Sequence, residues 1–186
     1  MIVSIHQPNF IPWYPFFEKM SLCDRFVLLT KCQFEKNGYT NRFSRENQWY
    51  TMPVYRGLEP IDTKKYIDCE KNWNKIKTKL KKFDPVLSQF DQYICDSMSQ
   101  TNSGIIEHIA KIINPAVQIV YDYDTTLKST ERLVDICKYY GATTYLAGQG
   151  GKQYMNMDLW KNTGIDVKFH KNKNTCHVLD FLMEKK

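Results

Sequence analysis

The sequence lacks the long apolar run that a membrane-spanning helix needs. Hydrophobic residues make up 42% of the 186 residues, but no stretch approaches the about 20 consecutive apolar residues of a span. The N-terminus also lacks the basic start and long apolar core of a secretion signal, because it runs straight into Ile2, Val3 and Ile5. We therefore expect a cytoplasmic protein without a membrane span.

The six cysteines lack the spacing of a metal site or a disulfide framework. They are scattered, with no C-x-x-C pair and no cluster with histidine. This pattern predicts reduced, mostly buried thiols and no bound metal. The chain also lacks P-loop spacing, a Ser-His-Asp order and a paired-carboxylate pattern. No known catalytic constellation can therefore be identified from spacing.

Length and charge restrict the organisation and the partners. A chain of 186 residues suits one domain, and we see no repeat, no low-complexity linker and no shift in composition along it. We therefore predict a single domain over residues 1–186. The net charge of +6 favours anionic partners, such as phosphates, nucleotide sugars, nucleic acid or a membrane surface, without choosing among them.

The order of apolar segments predicts an α/β fold, with a mainly parallel β-sheet flanked by helices. A strand, a helix and a second strand are predicted over residues 1–6, 12–20 and 23–30, the pattern of a β-α-β crossover. The last third repeats this alternation. Strands are predicted at 117–123, 143–148 and 167–170, with a helix at 129–142 that Ser129 would cap and a helix start in GGKQYM.

Two excursions interrupt this alternation. Residues 39–55 alternate polar and apolar side chains around a loop at 44–48, which predicts a β-hairpin. Residues 71–113 change to helical periodicity and predict an insertion of two or three helices in the middle of the domain. We place the joints of the insertion at the sequence SQTNSG and at the pair Asn114-Pro115.

Polar residues follow the first predicted strand, where ligands bind in parallel sheets. His6 could carry a proton or orient a substrate, with Gln7 and Asn9 as neighbouring binding groups and prolines that stiffen the loop. The alternative is a histidine that only satisfies local structure. Trp13 and Tyr14 could form an aromatic wall beside the loop, although the helical pattern favours a core position for Trp13.

A glycine-rich loop follows the predicted strand at 143–148. Its residues without Cβ could turn backbone N–H groups toward an anion, and Lys152 and Tyr154 lie nearby. The alternative is a turn that needs positive φ. The loop comprises Gly148, Gln149, Gly150 and Gly151.

Basic residues elsewhere offer two further candidates. Asn41 and Arg42 on the hairpin could bind a carboxylate or phosphate, or Arg42 could pair with a local acid. The lysine-rich stretch KNWNKIKTKLKK suggests a nucleic-acid surface, but its lysines share a helix with an apolar stripe and need only be its solvated face. We therefore do not expect a nucleic acid partner.

Five ordered blocks of the chain resemble the WbqC-like protein family. They are IHQPNFIPWYPFFEKM, CDRFVLL, the hairpin segment with NRF, WYTMPV and the late GATTYLAGQGGKQYM. The matching positions are His6, Gln7, Pro8, Pro12, Trp13, Lys19, Asn41, Arg42, Trp49, Thr51, Pro53, Tyr145, Gly148, Gly150 and Tyr154. The chain departs from the family pattern at Pro15, Phe43, Cys176 and His177.

The resemblance implies a role in bacterial surface-polysaccharide (O-antigen) biosynthesis. Members of that family accompany enzymes that make nucleotide-activated amino sugars, and transfer of an acyl or aminoacyl group has been suspected. The implied substrate is a nucleotide-activated amino sugar or another anionic small molecule, and other glycan-biosynthesis enzymes are candidate partners. No resident cofactor is predicted. The implied donor is a CoA thioester, a carrier-protein thioester or an ATP-activated amino acid.

Three functions are therefore compatible with the sequence. The leading one is a transferase in which His6 carries the proton, Arg42 clamps an anion and the glycine-rich loop holds phosphate. The second is a non-catalytic partner of a sugar-modifying enzyme, and the third is a nucleotidyltransferase-like protein that binds nucleotides. The first predicts that His6, Asn41, Arg42 and residues 148–151 line one pocket.

Overall fold

The computed structural model describes residues 1–185 and confirms an α/β fold. Five parallel strands form one sheet in the order β5-β2-β1-β6-β7, and an antiparallel pair forms a separate hairpin. The strands are β1 (Ile2–His6), β2 (Arg25–Leu28), β3 (Arg42–Arg45), β4 (Gln48–Thr51), β5 (Gln118–Tyr121), β6 (Thr144–Ala147) and β7 (Asp166–Phe169).

Helices connect the strands. The α-helices are α1 (Tyr14–Met20), α2 (Cys69–Lys79), α3 (Asp84–Leu87), α4 (Met98–Ile113), α5 (Ser129–Tyr139), α6 (Gly151–Tyr154) and α7 (Val178–Glu184). Short 3-10 helices cover Lys81–Phe83, Ser88–Tyr93 and Met157–Trp160. The sequence pattern predicted every one of these strands, but it did not predict α7.

β1 lies in the middle of the sheet, and hydrophobic cores cover both faces of the sheet. Val3 and Ile5 pack into a core that contains residues of α5, while β2 presents Phe26 and Leu28 to a second core on the other face. The second core includes residues from α1, α2, α4 and α7. Because β1 is covered on both faces and paired on both edges, its C-terminal residue lies in the middle of the sheet edge.

The direction of the connections reverses between β1 and β6. Chain segments after β1 add β2 and β5 on one side, and later segments add β6 and β7 on the other side. In open parallel sheets, the crevice at this reversal, outside the carboxyl ends of the strands, is the usual ligand site. The fold therefore predicts a ligand site at the loops that follow β1 and β6.

Two local predictions were wrong. The segment SQTNSG does not break the insertion but lies inside α4, because its polar side chains Thr101, Asn102 and Ser103 are buried there. Ser129 does not cap α5. It is the first helical residue, with φ at 49°, and no side chain caps this helix end.

Candidate functional site

His6 is the last residue of β1, and one hydrogen bond fixes its tautomer. Its Nδ1 lies 2.9 Å from the carbonyl oxygen of Gln7. A carbonyl oxygen only accepts, so Nδ1 carries the proton and Nε2 keeps its lone pair. The ring also packs edge-on against Phe16, with ring centroids 4.9 Å apart. His6 is therefore held in one orientation with Nε2 as a base or acceptor.

The surroundings of His6 keep the imidazole neutral. Burial and, to a lesser extent, the ammonium group of Lys19 lower its pKa to about 3, against a smaller opposing effect of the Gln7 carbonyl. Lys19 is only 3% exposed, and its Nζ donates to the carbonyl of Ile5 at 3.3 Å. Burial lowers the pKa of Lys19 to about 8. At neutral pH His6 can therefore accept a proton but has none to give from Nε2.

A buried asparagine anchors the loop that follows His6. The amide nitrogen of Asn102, on α4, donates to the carbonyls of Pro8 and Thr40, each at 2.7 Å. Its amide oxygen accepts from the hydroxyl of Tyr66 at 2.8 Å. In the same loop, Ile11 is fully buried with φ at 45°, a strained value for a β-branched residue. Tertiary contacts thus hold the loop rigid.

The first of two cavities beside His6 has a volume of about 780 Å³ and is named here the sheet-edge cavity. It opens at the carboxyl edge of the sheet, between the loops after β1, β2 and β5 and the start of α5. Its charged lining residues are three cations, Lys31, Lys128 and Arg132, against one carboxylate, Glu35. By its lining residues alone the sheet-edge cavity therefore suits an anionic ligand, although two of these cations also have carboxylate partners outside the lining.

The three cations differ in how they are held. Arg132 pairs with Asp122 at the end of β5, and Lys31 pairs with Asp62 at 2.9 Å. Within residues 1–185 no carboxylate lies at ion-pair distance from Lys128, which is exposed. Lys128 can therefore bind an anion without breaking an ion pair, whereas Arg132 is held in place by its carboxylate partner.

The second cavity, of about 590 Å³, is named here the hairpin cavity. His6 borders it as well, so one imidazole separates the two cavities. Its walls come from the loop after β1, the β3–β4 hairpin and the segment that enters α7. Its charged lining residues are one guanidinium, Arg45, against two carboxylates, Glu46 and Asp180. The two cavities therefore have opposite charge preferences.

The structure brings together some of the predicted site residues. His6, Gln7 and Tyr154 line the sheet-edge cavity, and His6 and Asn9 line the hairpin cavity. Tyr14 lines neither of them and instead packs against Phe181 at a ring distance of 4.6 Å. The predicted cluster is thus divided, with His6 as its shared member.

Asn41 and Arg42 have structural contacts instead. Asn41 is buried and its amide donates to the carbonyl of Met52 at 3.0 Å. Arg42 donates to the carbonyls of Gly38 and Asn37, and its guanidinium stacks 4.0 Å from the ring of Trp49. Within residues 1–185 the alternative pairing of Arg42 with a local acid is not present, and its contact with an anion stays a prediction.

The glycine-rich loop stays outside both cavities. Gly148 and Gly150 have no positive φ, so the alternative of a turn that requires left-handed backbone is wrong. A side chain would also fit at either residue, because an added Cβ would meet no atom within 4 Å. Gln149 donates its amide to the carbonyl of His170, and Gly151 packs against Met155. Neither this loop nor Arg42 lines either cavity beside His6, so the structure does not bring the residues of the predicted single pocket together there.

Trp13 is 49% exposed and lines the hairpin cavity, so its predicted core position is wrong. It immediately precedes α1, where the helical pattern that placed it in the core does not yet apply. Sequence reasoning also missed the charged and histidine side chains that line the cavities, apart from His6. These eight residues are Lys31, Glu35, Arg45, Glu46, Lys128, Arg132, His177 and Asp180.

One signal could have identified part of this missed set. Lys31 and Lys128 lie in the loops that follow β2 and β5, at the sheet edge where the carboxyl ends of parallel strands meet and where His6 ends β1. Arg45, His177 and Asp180 come from the hairpin and α7, whose approach no local pattern reveals.

The chain is similar to known proteins over most of its length. The family model described as the WbqC-like protein family matches residues 7–177. A relative, the uncharacterized protein Rv1507c of Mycobacterium tuberculosis, is 23% identical over 184 residues, which cover 89% of this chain and 80% of that protein. No solved structure matches the chain. No helix within residues 1–185 is long and apolar enough to cross a membrane. Since the family match covers most of the sequence, the chain belongs to the WbqC-like protein family.

Proposed function

We propose that the protein is a cytoplasmic transferase of bacterial surface-polysaccharide (O-antigen) biosynthesis. It binds a nucleotide-activated amino sugar in the sheet-edge cavity and adds an acyl or aminoacyl group to the sugar amine. The observation that carries this proposal is the position of a neutral His6 beside a cavity with three cations and one carboxylate. The cations suit the diphosphate, and the free lone pair of Nε2 can accept a hydrogen bond from the attacking amine and take its proton once the N–C bond forms.

The chemistry assigned to His6 is proton transfer during acyl transfer. The sugar amine attacks the carbonyl carbon of an activated acyl group, so that an N–C bond forms and the bond from carbonyl carbon to leaving group breaks. Nε2 of His6 accepts the proton from the attacking nitrogen and returns it to the leaving group. A CoA thioester, a carrier-protein thioester or an ATP-activated amino acid would supply the acyl group.

Calorimetric titration with UDP- and dTDP-amino sugars tests the binding step. Replacing Lys128 by alanine should weaken binding by about tenfold, the scale of one charge-assisted contact. Lys138→Ala is the matched control, because this exposed lysine lies at the other end of α5. His6→Gln should bind the sugar nucleotide normally and lose transfer. Absence of binding by any nucleotide sugar would contradict the proposal.

A nucleotidyltransferase is a second candidate, favoured by the strand order. The sheet has its reversal between β1 and β6, and a histidine ends the first strand. Such an enzyme would release pyrophosphate from a nucleoside triphosphate and a sugar phosphate. Pyrophosphate release that depends on His6 would favour this candidate over acyl transfer.

A further inference from the structure

The hairpin cavity has a charge character that the sheet-edge cavity lacks. The guanidinium of Arg45 bonds to Asp180 at 2.8 Å and also to Glu46, so its charge is opposed twice. Phe83 covers one face of the guanidinium at 4.3 Å, and the side chain is only 13% exposed. Arg45 is therefore enclosed by its own partners and is not available to hold an anion.

The two carboxylates remain open to the cavity. Glu46 and Asp180 have side-chain exposures of 75% and 38%. Each uses one oxygen for Arg45, and within residues 1–185 the other oxygen of each accepts no hydrogen bond. One guanidinium cannot neutralise two carboxylates, so a negative charge remains at the mouth of the cavity.

The histidines of the cavity do not cancel this charge. Burial lowers the pKa of His177 to about 4 and that of His6 to about 3, so both are neutral at pH 7. Nδ1 of His177 accepts from the backbone N–H of Leu179 at 3.2 Å, which leaves Nε2 as a donor. The titratable wall of the cavity therefore adds hydrogen-bonding groups and no positive charge.

Aromatic rings complete the wall. Trp13 and Tyr39 line the cavity while remaining 49% and 55% exposed, which is unusual for large aromatic side chains. The buried rings of Phe10 and Phe43 form part of the same lining. Exposed aromatic faces next to carboxylates are the combination that binds a cationic amine attached to an apolar group.

We propose that the hairpin cavity is a second binding site, which selects a ligand carrying a primary ammonium group next to an aromatic or apolar group. This site is distinct from the proposed nucleotide site and meets it only at His6. Two ligands could thus occupy the two sides of one imidazole, with the anion on the cationic side and the amine on the carboxylate side.

A charge series of small probes tests this site. The probes are 2-phenylethylamine, its neutral analogue 2-phenylethanol and the anion phenylacetate, each titrated at millimolar concentration into 15N-labelled protein and followed by NMR. The amine should shift the signals of Trp13, Tyr39 and Glu46, and bind at least fivefold more tightly than the alcohol. Equal affinity for amine and alcohol, or shifts confined to the sheet-edge cavity, would overturn the proposal.

Two variants remove the charge without removing bulk. Glu46→Gln, in an exposed turn, and Asp180→Asn should each weaken binding of the amine by about threefold to fivefold. The control is Glu70→Gln, an exposed acid on α2, which should bind like the parent. Unchanged affinity in Glu46→Gln and Asp180→Asn would also overturn the proposal.

Titration of UDP into the same samples separates the two sites. Glu46→Gln should bind UDP like the parent if UDP occupies the sheet-edge cavity. If the parent protein binds the amine but not UDP, the nucleotide site is rejected and the hairpin site is kept. If the parent binds UDP but not the amine, only the hairpin site is rejected.

Discussion

The carboxylate of Asp122 accepts a hydrogen bond from the backbone N–H of Thr30 at 2.7 Å. The same carboxylate accepts from the Thr30 hydroxyl and from the N–H of Lys31, and it pairs with Arg132. Its side chain is fully buried. One acid at the end of β5 therefore fixes both the loop after β2 and the guanidinium that lines the sheet-edge cavity.

Asp122→Ala should lower the free energy of unfolding by about 3–5 kcal/mol, because it leaves a partly buried guanidinium and backbone donors without their acceptor. Urea denaturation measures this change. The matched control is Asp124→Ala, since Asp124 is 88% exposed and pairs with Lys31 at 3.4 Å. The control should change stability by less than about 0.5 kcal/mol. Equal midpoints for the two variants would argue against the anchoring role.

The low pKa of His6 predicts a dependence of stability on pH. The folded value of about 3 lies below the ordinary value of 6.5, so the unfolded chain binds a proton that the folded chain refuses. Stability due to this difference is present above pH 6.5 and is lost as the pH falls toward 3, by up to about 1.4 kcal/mol per pH unit. Urea denaturation of the parent at pH 7 and pH 5 measures it.

The variant His6→Gln serves as the comparison. Its side chain cannot titrate, so it should lose less stability between pH 7 and pH 5 than the parent does. His177 has a pKa of about 4 and contributes in the same direction to both proteins, so its effect cancels in the comparison. Parallel pH dependences for the two proteins would show that His6 titrates normally.

Lys19 is expected to act on His6 through its charge. Replacing it by methionine removes a buried cation, and the pKa of His6 should then rise because part of its lowering comes from Lys19. NMR titration of the His6 ring measures the shift. Lys79→Met, at an exposed position on α2, is the control and should leave the titration unchanged. An identical His6 titration in Lys19→Met would show that burial alone sets the pKa.

Arg42→Lys should affect stability and leave ligand binding unchanged. Lysine cannot donate to the Gly38 and Asn37 carbonyls in the same way, nor stack its head group on Trp49. We expect a loss of about 1 kcal/mol in the free energy of unfolding. The control Arg56→Lys changes an exposed arginine of the same type. A weakened affinity for UDP in Arg42→Lys would instead restore Arg42 as an anion-binding residue.

The polar segment of α4 shows why composition can mislead. Asn, Ser, Thr and Gly usually mark a turn, because their side chains compete for backbone hydrogen bonds. In SQTNSG two of these side chains bond elsewhere: Asn102 bonds to Pro8, Thr40 and Tyr66, and Thr101 bonds to the backbone of Cys95. Partners distant in sequence allow the helix to continue through this segment.

The candidate site likewise contains residues that the sequence could predict and residues that it could not. The position of His6 could be predicted, because a strand end in a parallel sheet is a local feature with a known place in the fold. The contact of Arg45 with Asp180 could not, because 135 positions separate the two residues. Arg42, chosen for its chemistry, proved to bond to carbonyls four and five residues away.

The sequence by itself determined the α/β class, the parallel sheet with its hairpin, and the strand end that carries His6, because apolar periodicity depends on neighbours along the chain. Only the tertiary structure decided that two cavities meet at this histidine and that their charges are opposite. It also decided that burial and Lys19 keep the imidazole neutral. The physical reason is that cavity shape, burial and charge pairing depend on how distant segments pack, and no local pattern specifies that packing.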